Sequence, residues 1–215
     1  MKRPDAPELA AARQRTQSVY ENQAAGWDRH RHKSLIERRW FDRFLDRLRP
    51  GGHVLDLGCG AGEPLAGYVL GKGFELTGVD YSAAMLDLAR QRYPAATWIE
   101  GDMRALSLAG SFDGIFSWDG SFHLSRDEQR QLLTNLAGLL APGGALMLPV
   151  GHEEGEVLGV VEGERVYHSS LDPGEYRERL AALGFTDIVF VAEDPECDRH
   201  SVLLASRPAT APGGT

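Results

Sequence analysis

Hydrophobic and polar positions change period several times between residues 53 and 206 of this chain. Short runs of branched and aliphatic residues have the length and bounding turns of strands: HVLDL from 53, FELTGVD from 74, TWIE from 97, FDGIFS from 112 and ALMLPV from 145. Between them, apolar residues three and four apart predict helices over roughly 62–72, 82–92 and 126–140. Strand alternating with helix implies βαβ units, hence a parallel sheet with helices on both faces. Two helix starts carry capping-box spacing, Ser125 with Glu128 and Asp172 with Glu175, the second with Pro173 at the favoured first helical position. A helix over 172–183 ends at Gly184, after which TDIVFVAE and HSVLLAS follow one another without a helical crossover, so that pair is antiparallel. Ahead of the first strand, arginines at 29, 31, 38, 39, 43, 47 and 49 alternate with Trp40, Phe41, Phe44, Leu45 and Leu48. That pattern predicts an amphipathic helix with its arginines in solvent.

The 215 residues, 42% hydrophobic and 25% charged, describe one ordinary globular domain, long enough to bury a core without disulfide or metal staples. Cys59 and Cys197 are too few for a disulfide framework. The polar start MKRPDAPELAAARQRTQ lacks the apolar core of a secretory signal, and no apolar run approaches the roughly 20 residues of a membrane span. A cytoplasmic, reduced protein with no membrane partner is expected. The net charge of −8 hides a division: residues 1–50 hold 12 basic and 7 acidic groups, leaving the rest 11 of the 23 basic and 24 of the 31 acidic. So acidic a body repels phosphate, which argues against nucleic acid as a partner. The expected organisation is a flexible N-terminus over 1–17, a helical cap over 18–50, a core over 51–206 and a disordered tail over 207–215.

The chemistry begins at 54 with VLDLGCGAGEP, a strand running into a glycine-rich turn and then a helix. Gly58, Gly60 and Gly62 permit a close approach of backbone to ligand, and the helix that follows offers unpaired N–H groups. The next strand ends in VDYS, placing Asp80 18 residues after Gly62, where a carboxylate reaches both hydroxyls of a ribose. A dinucleotide fingerprint would need glycine at 63, but Glu63 stands there and would oppose a pyrophosphate. Asp56, inside the first strand, suits a ligand with a cationic group better than a phosphorylated one. In GDMRAL, Asp102 is placed to accept a hydrogen bond from an adenine amino group.

DLGCGAG, VDYS, GDM and LAPGG, in this order and spacing, resemble the class I S-adenosylmethionine-dependent methyltransferases, and the resemblance covers residues 18–206. It implies a Rossmann-like, doubly wound sheet of seven strands in the order 3-2-1-4-5-7-6, the seventh antiparallel, with S-adenosyl-L-methionine as cofactor and no metal. It assigns the turn of Gly58, Cys59, Gly60 and Gly62 to the methionine moiety, Asp80 to the ribose, Tyr81 to the adenine face, and Asp102 with Met103 to the adenine edge. The stretch VYENQAAGWDRHRH is similar to the family's cap, with Tyr20, Trp27 and Arg31 over the cofactor; Trp27 reads equally as a core anchor. His30 and His32, two apart on a helix, diverge by about 200° and cannot chelate one metal.

Ligands of open α/β sheets sit beyond the carboxyl ends of the strands where strand order reverses, here between the first and fourth. The segments expected there are the glycine turn, SWDGSFHLS after the fourth strand and GHEEGE after the fifth. Trp118 and Asp119 come nearest the sulfonium, His123 lies just before the next helix, and His152 is expected to face the acceptor. Asp119, His123 and His152 are thus the catalytic candidates, His152 ahead of His123. About twenty residues separate the fifth strand from the helix at 172, too few for a substrate domain. A small acceptor is expected under a thin lid of the cap and residues 152–170, with Tyr167 and His168 either on its inner side or packed as a strand. Residues 151–198, with 13 acidic and 3 basic groups, form either a mouth for a cationic amine or a solvated loop. Methyl transfer to a nitrogen or oxygen of a small molecule by in-line displacement is the expected function. Two alternatives stay open: an NAD(P)-dependent oxidoreductase, against which Glu63 counts, and a non-catalytic S-adenosylmethionine binder, against which Asp119, His123 and His152 count.

Overall fold

The computed structural model describes residues 4–209, with nine strands, six α-helices and two short 3-10 helices (Met103–Ala105 and Ser121–His123) among them. In chain order these are α1 (Ala6–His30), α2 (Arg38–Leu45), β1 (His53–Leu57), α3 (Leu65–Gly71), β2 (Glu75–Asp80), α4 (Ala83–Arg92), β3 (Thr97–Glu100) and β4 (Phe112–Phe116). Then follow α5 (Arg126–Leu139), β5 (Leu140–Val150), β6 (Gly155–Val161), β7 (Glu164–Ser170), α6 (Pro173–Ala182), β8 (Thr186–Asp194) and β9 (His200–Ser206). β1 pairs in parallel with β2 and β4, β2 with β3, and β4 with β5, whereas β9 runs antiparallel between β5 and β8. The resulting order, β3-β2-β1-β4-β5-β9-β8, is the expected 3-2-1-4-5-7-6. The last two strands are numbered β8 and β9 because a separate ribbon, β6 paired antiparallel with β7, precedes them.

The sheet is central because both its faces are apolar. Successive strand residues point to opposite sides, so Leu55, Ile115, Leu146 and Leu203 enter one core and Val54, Phe116, Met147 and Leu204 the other. The first core is completed by Leu132, Leu133 and Leu136 of α5 and Leu180 of α6. Trp40, Phe41 and Phe44 of α2, with Leu65 and Val69 of α3, complete the second. Ser125 and Glu128 form the full capping box at α5, while Asp172 caps α6 through the Gly174 N–H alone.

Several expectations need correction. The lead over 1–17, expected to be flexible, is helical from Ala6, because Asp5 and Glu8 close a capping box and Ala12, Thr16 and Val19 are buried on the inner side of α1; residues 1–3 lie outside the described residues. The arginine-rich stretch is divided between the end of α1 and α2, and Arg31 turns inward rather than to solvent. Arg207, placed in the tail, donates to the carbonyls of Ala137 and Leu140, holding residues 207–209 beside β5; residues 210–215 of the expected tail lie outside the described residues. Within 152–170, most of the acidic stretch is the β6–β7 hairpin, turned at Glu162 (φ 48°) and Gly163 (φ 84°), two positive φ values as a tight hairpin turn requires. No helix among the described residues is long and apolar enough to cross a membrane.

Candidate active site

Beyond the carboxyl ends of β1, β2 and β4 lies a cleft of about 890 Å3, part of it open to solvent, at the point where strand order reverses. The turn after β1 makes its floor. The N–H groups of Gly58 and Cys59 donate to the Val79 carbonyl of β2 at 2.8 and 3.1 Å, and Gly60, at φ 51°, aims its own N–H at Asp80 Oδ2, 2.8 Å away. Asp80 Oδ1 accepts from the Ser82 N–H at 2.9 Å. A carboxylate offers about four acceptor positions, so Asp80 keeps two for a ligand. Burial dominates at Asp80 and raises its pKa, with the backbone donors of Ser82 and Gly60 working the other way. The Tyr81 hydroxyl donates to the Gln17 carbonyl at 2.7 Å, and burial raises its pKa as well.

The loop after β4 makes the facing wall. A Cβ on Gly120 would stand 2.9 Å from the Leu57 carbonyl oxygen and 3.3 Å from Gly58 Cα, so the two loops meet backbone to backbone only because 120 is glycine. That contact brings Trp118, Asp119 and His123 to the cleft. Trp118 is buried, and its indole N–H has no hydrogen-bond partner among the described residues. Asp119 takes the left-handed conformation (φ 57°), which aspartate tolerates better than most residues. Burial pushes its carboxyl pKa up, but the His200 ring at 3.3 Å and the Arg31 guanidinium at 3.8 Å outweigh burial and hold it below the usual carboxylate value.

Helix α1 is the roof. It contributes Arg13, Thr16, Gln17, Tyr20 and Trp27 to the cleft, with Tyr20 and Trp27 packed edge-on at 5.6 Å. Thr16 Oγ1 accepts from the Tyr167 N–H of β7 at 3.0 Å, Glu21 accepts from the Ser82 hydroxyl at 2.6 Å, and Asp28 pairs with both terminal nitrogens of Arg92. The Tyr20 hydroxyl lies 2.9 Å from His123 Nε2, and His123 Nδ1 lies 2.8 Å from the Tyr167 carbonyl. A carbonyl only accepts, so Nδ1 carries the proton, and the Nε2 lone pair receives the Tyr20 O–H. Burial, the largest influence on both, lowers the His123 pKa and raises that of Tyr20, so both are neutral at neutral pH.

Of the residues singled out from the sequence, Trp27, Arg31, Gly58, Gly60, Asp80, Tyr81, Asp102, Met103, Trp118, Asp119 and His123 all line this cleft. Asp56, Cys59 and Gly62 lie beneath it, around a smaller hollow shared with Arg31, Glu63 and Trp118. Burial raises the Asp56 carboxyl far above its usual pKa, so it favours the protonated form, not the anion that a cationic group would want. The Asp102 carboxylate is engaged by Arg104 and by the Gln17 side-chain amide. Glu63 pairs with Lys33 at 3.0 Å and Arg92 at 3.7 Å. His152 is not brought to the cleft. It is exposed after β5, its Nε2 4.0 Å from Glu153 Oε1, because the chain turns away at Gly151, whose N–H donates to the Ser170 hydroxyl at 2.9 Å. His168 packs from the hairpin against Phe122 and His123, at 4.7 and 4.8 Å between ring centres, and Tyr167 is buried with its hydroxyl on Glu156. Sequence reasoning missed Arg13 and Gln17 on α1, whose 3.6-residue spacing with Tyr20 was the available signal, and His200, for which there was none.

Residues 54–144 match the family model described as a methyltransferase domain. A trans-aconitate 2-methyltransferase of Deinococcus radiodurans is 34% identical over 167 residues, covering 67% of this chain and 62% of that protein. An O-methyltransferase of Pyrenophora dematioidea is 34% identical over 113 residues, covering 48% and 42%. The chain thus spans about half the length of these curated relatives. Among solved structures, CalS10, an amino pentose methyltransferase from Micromonospora echinaspora, aligns with TM-score 0.67 and 22% identity over 86% of this chain and 96% of that one. The CcbJ methyltransferase from Streptomyces caelestis aligns with TM-score 0.69 and 18% identity, over 91% and 99%. The chain carries a methyltransferase domain of the class I, Rossmann-like kind.

Proposed function

We propose that this chain transfers the methyl group of S-adenosylmethionine to a nitrogen or oxygen of a small-molecule acceptor. The observation that carries the reading is Asp80, a buried carboxylate fixed by two backbone N–H groups at the end of β2, with acceptor positions to spare for a ribose. The glycine turn beside it fits the methionine moiety, Arg31 its carboxylate, and Tyr81, Asp102 and Met103 the adenine. The unpartnered Trp118 indole supports a polar occupant in the same space.

The cofactor supplies a methyl group already activated by positive sulfur. The protein then has to align the acceptor, exclude water and take one proton where the acceptor must lose it. His123 is the proton acceptor, and Tyr20 is its reach into the cleft: the acceptor's proton passes to Tyr20 Oη as Tyr20 gives its own to His123 Nε2. The Tyr167 carbonyl steadies the resulting imidazolium through Nδ1–H, and the Asp119 carboxylate favours its charge. A cleft roofed by α1 supports a small acceptor, and an O-methyltransferase among the relatives and a glycopeptide N-methyltransferase among the similar structures support oxygen and nitrogen as the candidate atoms.

Thermal shift with S-adenosylmethionine, S-adenosylhomocysteine and NAD tests the cofactor, and product analysis on amines, phenols and carboxylates tests the acceptor. A ligand at 100 times its Kd adds about 2.7 kcal/mol, and the first two should do so while NAD does not. Stabilisation by NAD alone would point to the oxidoreductase. Cofactor binding without methylation of any acceptor class would leave a non-catalytic binder.

A further inference from the structure

The wall around Asp119 continues behind the cleft. His200, the first residue of β9, places Nδ1 2.9 Å from the Cys197 carbonyl and Nε2 3.3 Å from Asp119 Oδ1. Both partners are acceptors only, so both ring nitrogens carry protons and the ring is an imidazolium. The groups facing it are Asp119 from the loop after β4, Glu37 ahead of α2, and Asp194 and Cys197 from the turn between β8 and β9, with the Trp118 ring 5.5 Å away. Arg31, at the end of α1, lies beyond Asp119. The hydrogen bond to Asp119 is the largest influence and raises the His200 pKa to about 8 against burial. Asp119 therefore stands between a neutral histidine, His123, and a cationic one. Its Oδ1 is taken by His200, while Oδ2 is 3.8 Å from Arg31, too far for a hydrogen bond, so Oδ2 and the guanidinium both keep hydrogen-bonding capacity toward the cleft.

We propose that His200 is a positioning residue that holds Asp119 beside Arg31 as a clamp for a zwitterionic amino-acid end, Arg31 taking the carboxylate and Asp119 Oδ2 accepting from the ammonium. The proposal rests on the cofactor reading above and deepens it, since the amino-acid end is that of the cofactor. Without the imidazolium, Asp119 loses its anchor and closes on Arg31, and each charge then satisfies the other instead of the ligand.

Calorimetric titration of the whole chain with S-adenosylhomocysteine, and with 5′-methylthioadenosine, the same nucleoside without the amino-acid end, separates the roles. His200→Ala should lose on the order of tenfold in affinity for S-adenosylhomocysteine and nothing for 5′-methylthioadenosine. His200→Gln should recover part of the loss, because its amide N–H still reaches Asp119. Between pH 6.5 and 8.5 the preference for S-adenosylhomocysteine should fall several-fold more in the wild type than in His200→Gln, because His200 loses its proton near 8 in the wild type alone while the ligand's own amine titrates with both proteins. Equal losses for both ligands, no loss for either, or a preference that changes with pH equally in wild type and His200→Gln would overturn the clamp while leaving the cofactor reading intact. Wild type that binds neither ligand would overturn both.

Discussion

Asp80, buried, and Asp119, half-buried, are carboxylates of one cleft, and their pKa values move in opposite directions because their partners differ. The donors to Asp80 are backbone N–H groups, which do not overcome its burial and the nearby Glu21 carboxylate, whereas an imidazolium and a guanidinium face Asp119 and do overcome burial. Asp80→Ala should weaken S-adenosylmethionine binding by about 2 to 3 kcal/mol in a folded protein, since two ribose hydroxyls lose a charged acceptor; unchanged affinity by calorimetric titration would remove that role. Tyr20→Phe keeps the edge-on packing against Trp27 but leaves His123 Nε2 without its donor. For an acceptor that must lose a proton, it should lower turnover by about 10²-fold with S-adenosylhomocysteine affinity held. Because burial lowers the His123 pKa below 6.5, the acid limb of the wild-type rate profile should lie below pH 6.5. A limb at or above that value would mean that another group takes the proton. At this scale VDYS and GDM were legible, because they lie at strand ends whose direction the pattern already settles. The role of His152 was not legible: the direction of the chain after β5 depends on a contact with Ser170, which sequence spacing does not reveal.

At the scale of elements, α1 and the β6–β7 hairpin form one cover. Val19 packs with Val161 and Val166, and Tyr20 and Trp27 lie against both this cluster and the one formed by Ala24, Ala61 and Met85, while neither main core includes α1. Deleting residues 1–33 should therefore cost far more in cofactor affinity and turnover than in melting temperature, by removing Tyr20, Trp27 and Arg31 and admitting water. Thermal melts set beside S-adenosylhomocysteine titrations would check this, and a truncated chain with unaltered affinity would make the roof dispensable. The helix was expected to begin later because α1 is polar overall, and its narrow inner stripe of Ala12, Thr16 and Val19 becomes apolar surface only once a hairpin and α4 lie beneath it. Acidic density hid the hairpin itself. The signal was its Glu162-Gly163 turn between short apolar runs, outweighed in the sequence by Glu153, Glu154 and Glu156.

Across the whole molecule, titration and folding are coupled through histidines held in opposite states. Burial, aided by the neighbouring His123, lowers the His168 pKa to about 4 from 6.5. Between those values the unfolded chain binds a proton that the folded one does not, so this residue's share of stability is intact above pH 6.5 and lost as pH falls toward 4, by about 1.4 kcal/mol per unit. His200 works the other way, its contribution being present below pH 6.5 and lost as pH rises through about 8. His168→Phe, which can keep the packing on Phe122, should lose less stability than wild type between pH 7.5 and 5, by about 2 kcal/mol. Urea unfolding of both proteins at the two pH values isolates this residue from Asp56, Asp80 and Glu37, whose raised pKa values oppose it. Parallel losses in the two proteins would mean that His168 already titrates normally in the folded chain.

The alternation of apolar runs and helical periods determined the parallel sheet and its antiparallel last pair, because strand and helix are written locally, every second or every third to fourth residue, whereas the order of the seven strands came from the resemblance carried by the glycine turn and its companion motifs. The same local record placed the glycine turn, Asp80 and Asp102 at strand ends. Tertiary structure alone decided which histidine reaches the cleft and in which charge state. His123 is neutral because a carbonyl of β7 and a hydroxyl of α1 meet it, and His200 is cationic because β9 returns it to Asp119, 81 residues away in the chain. Protonation depends on the partners that surround a ring in space, and no spacing along the chain specifies those partners.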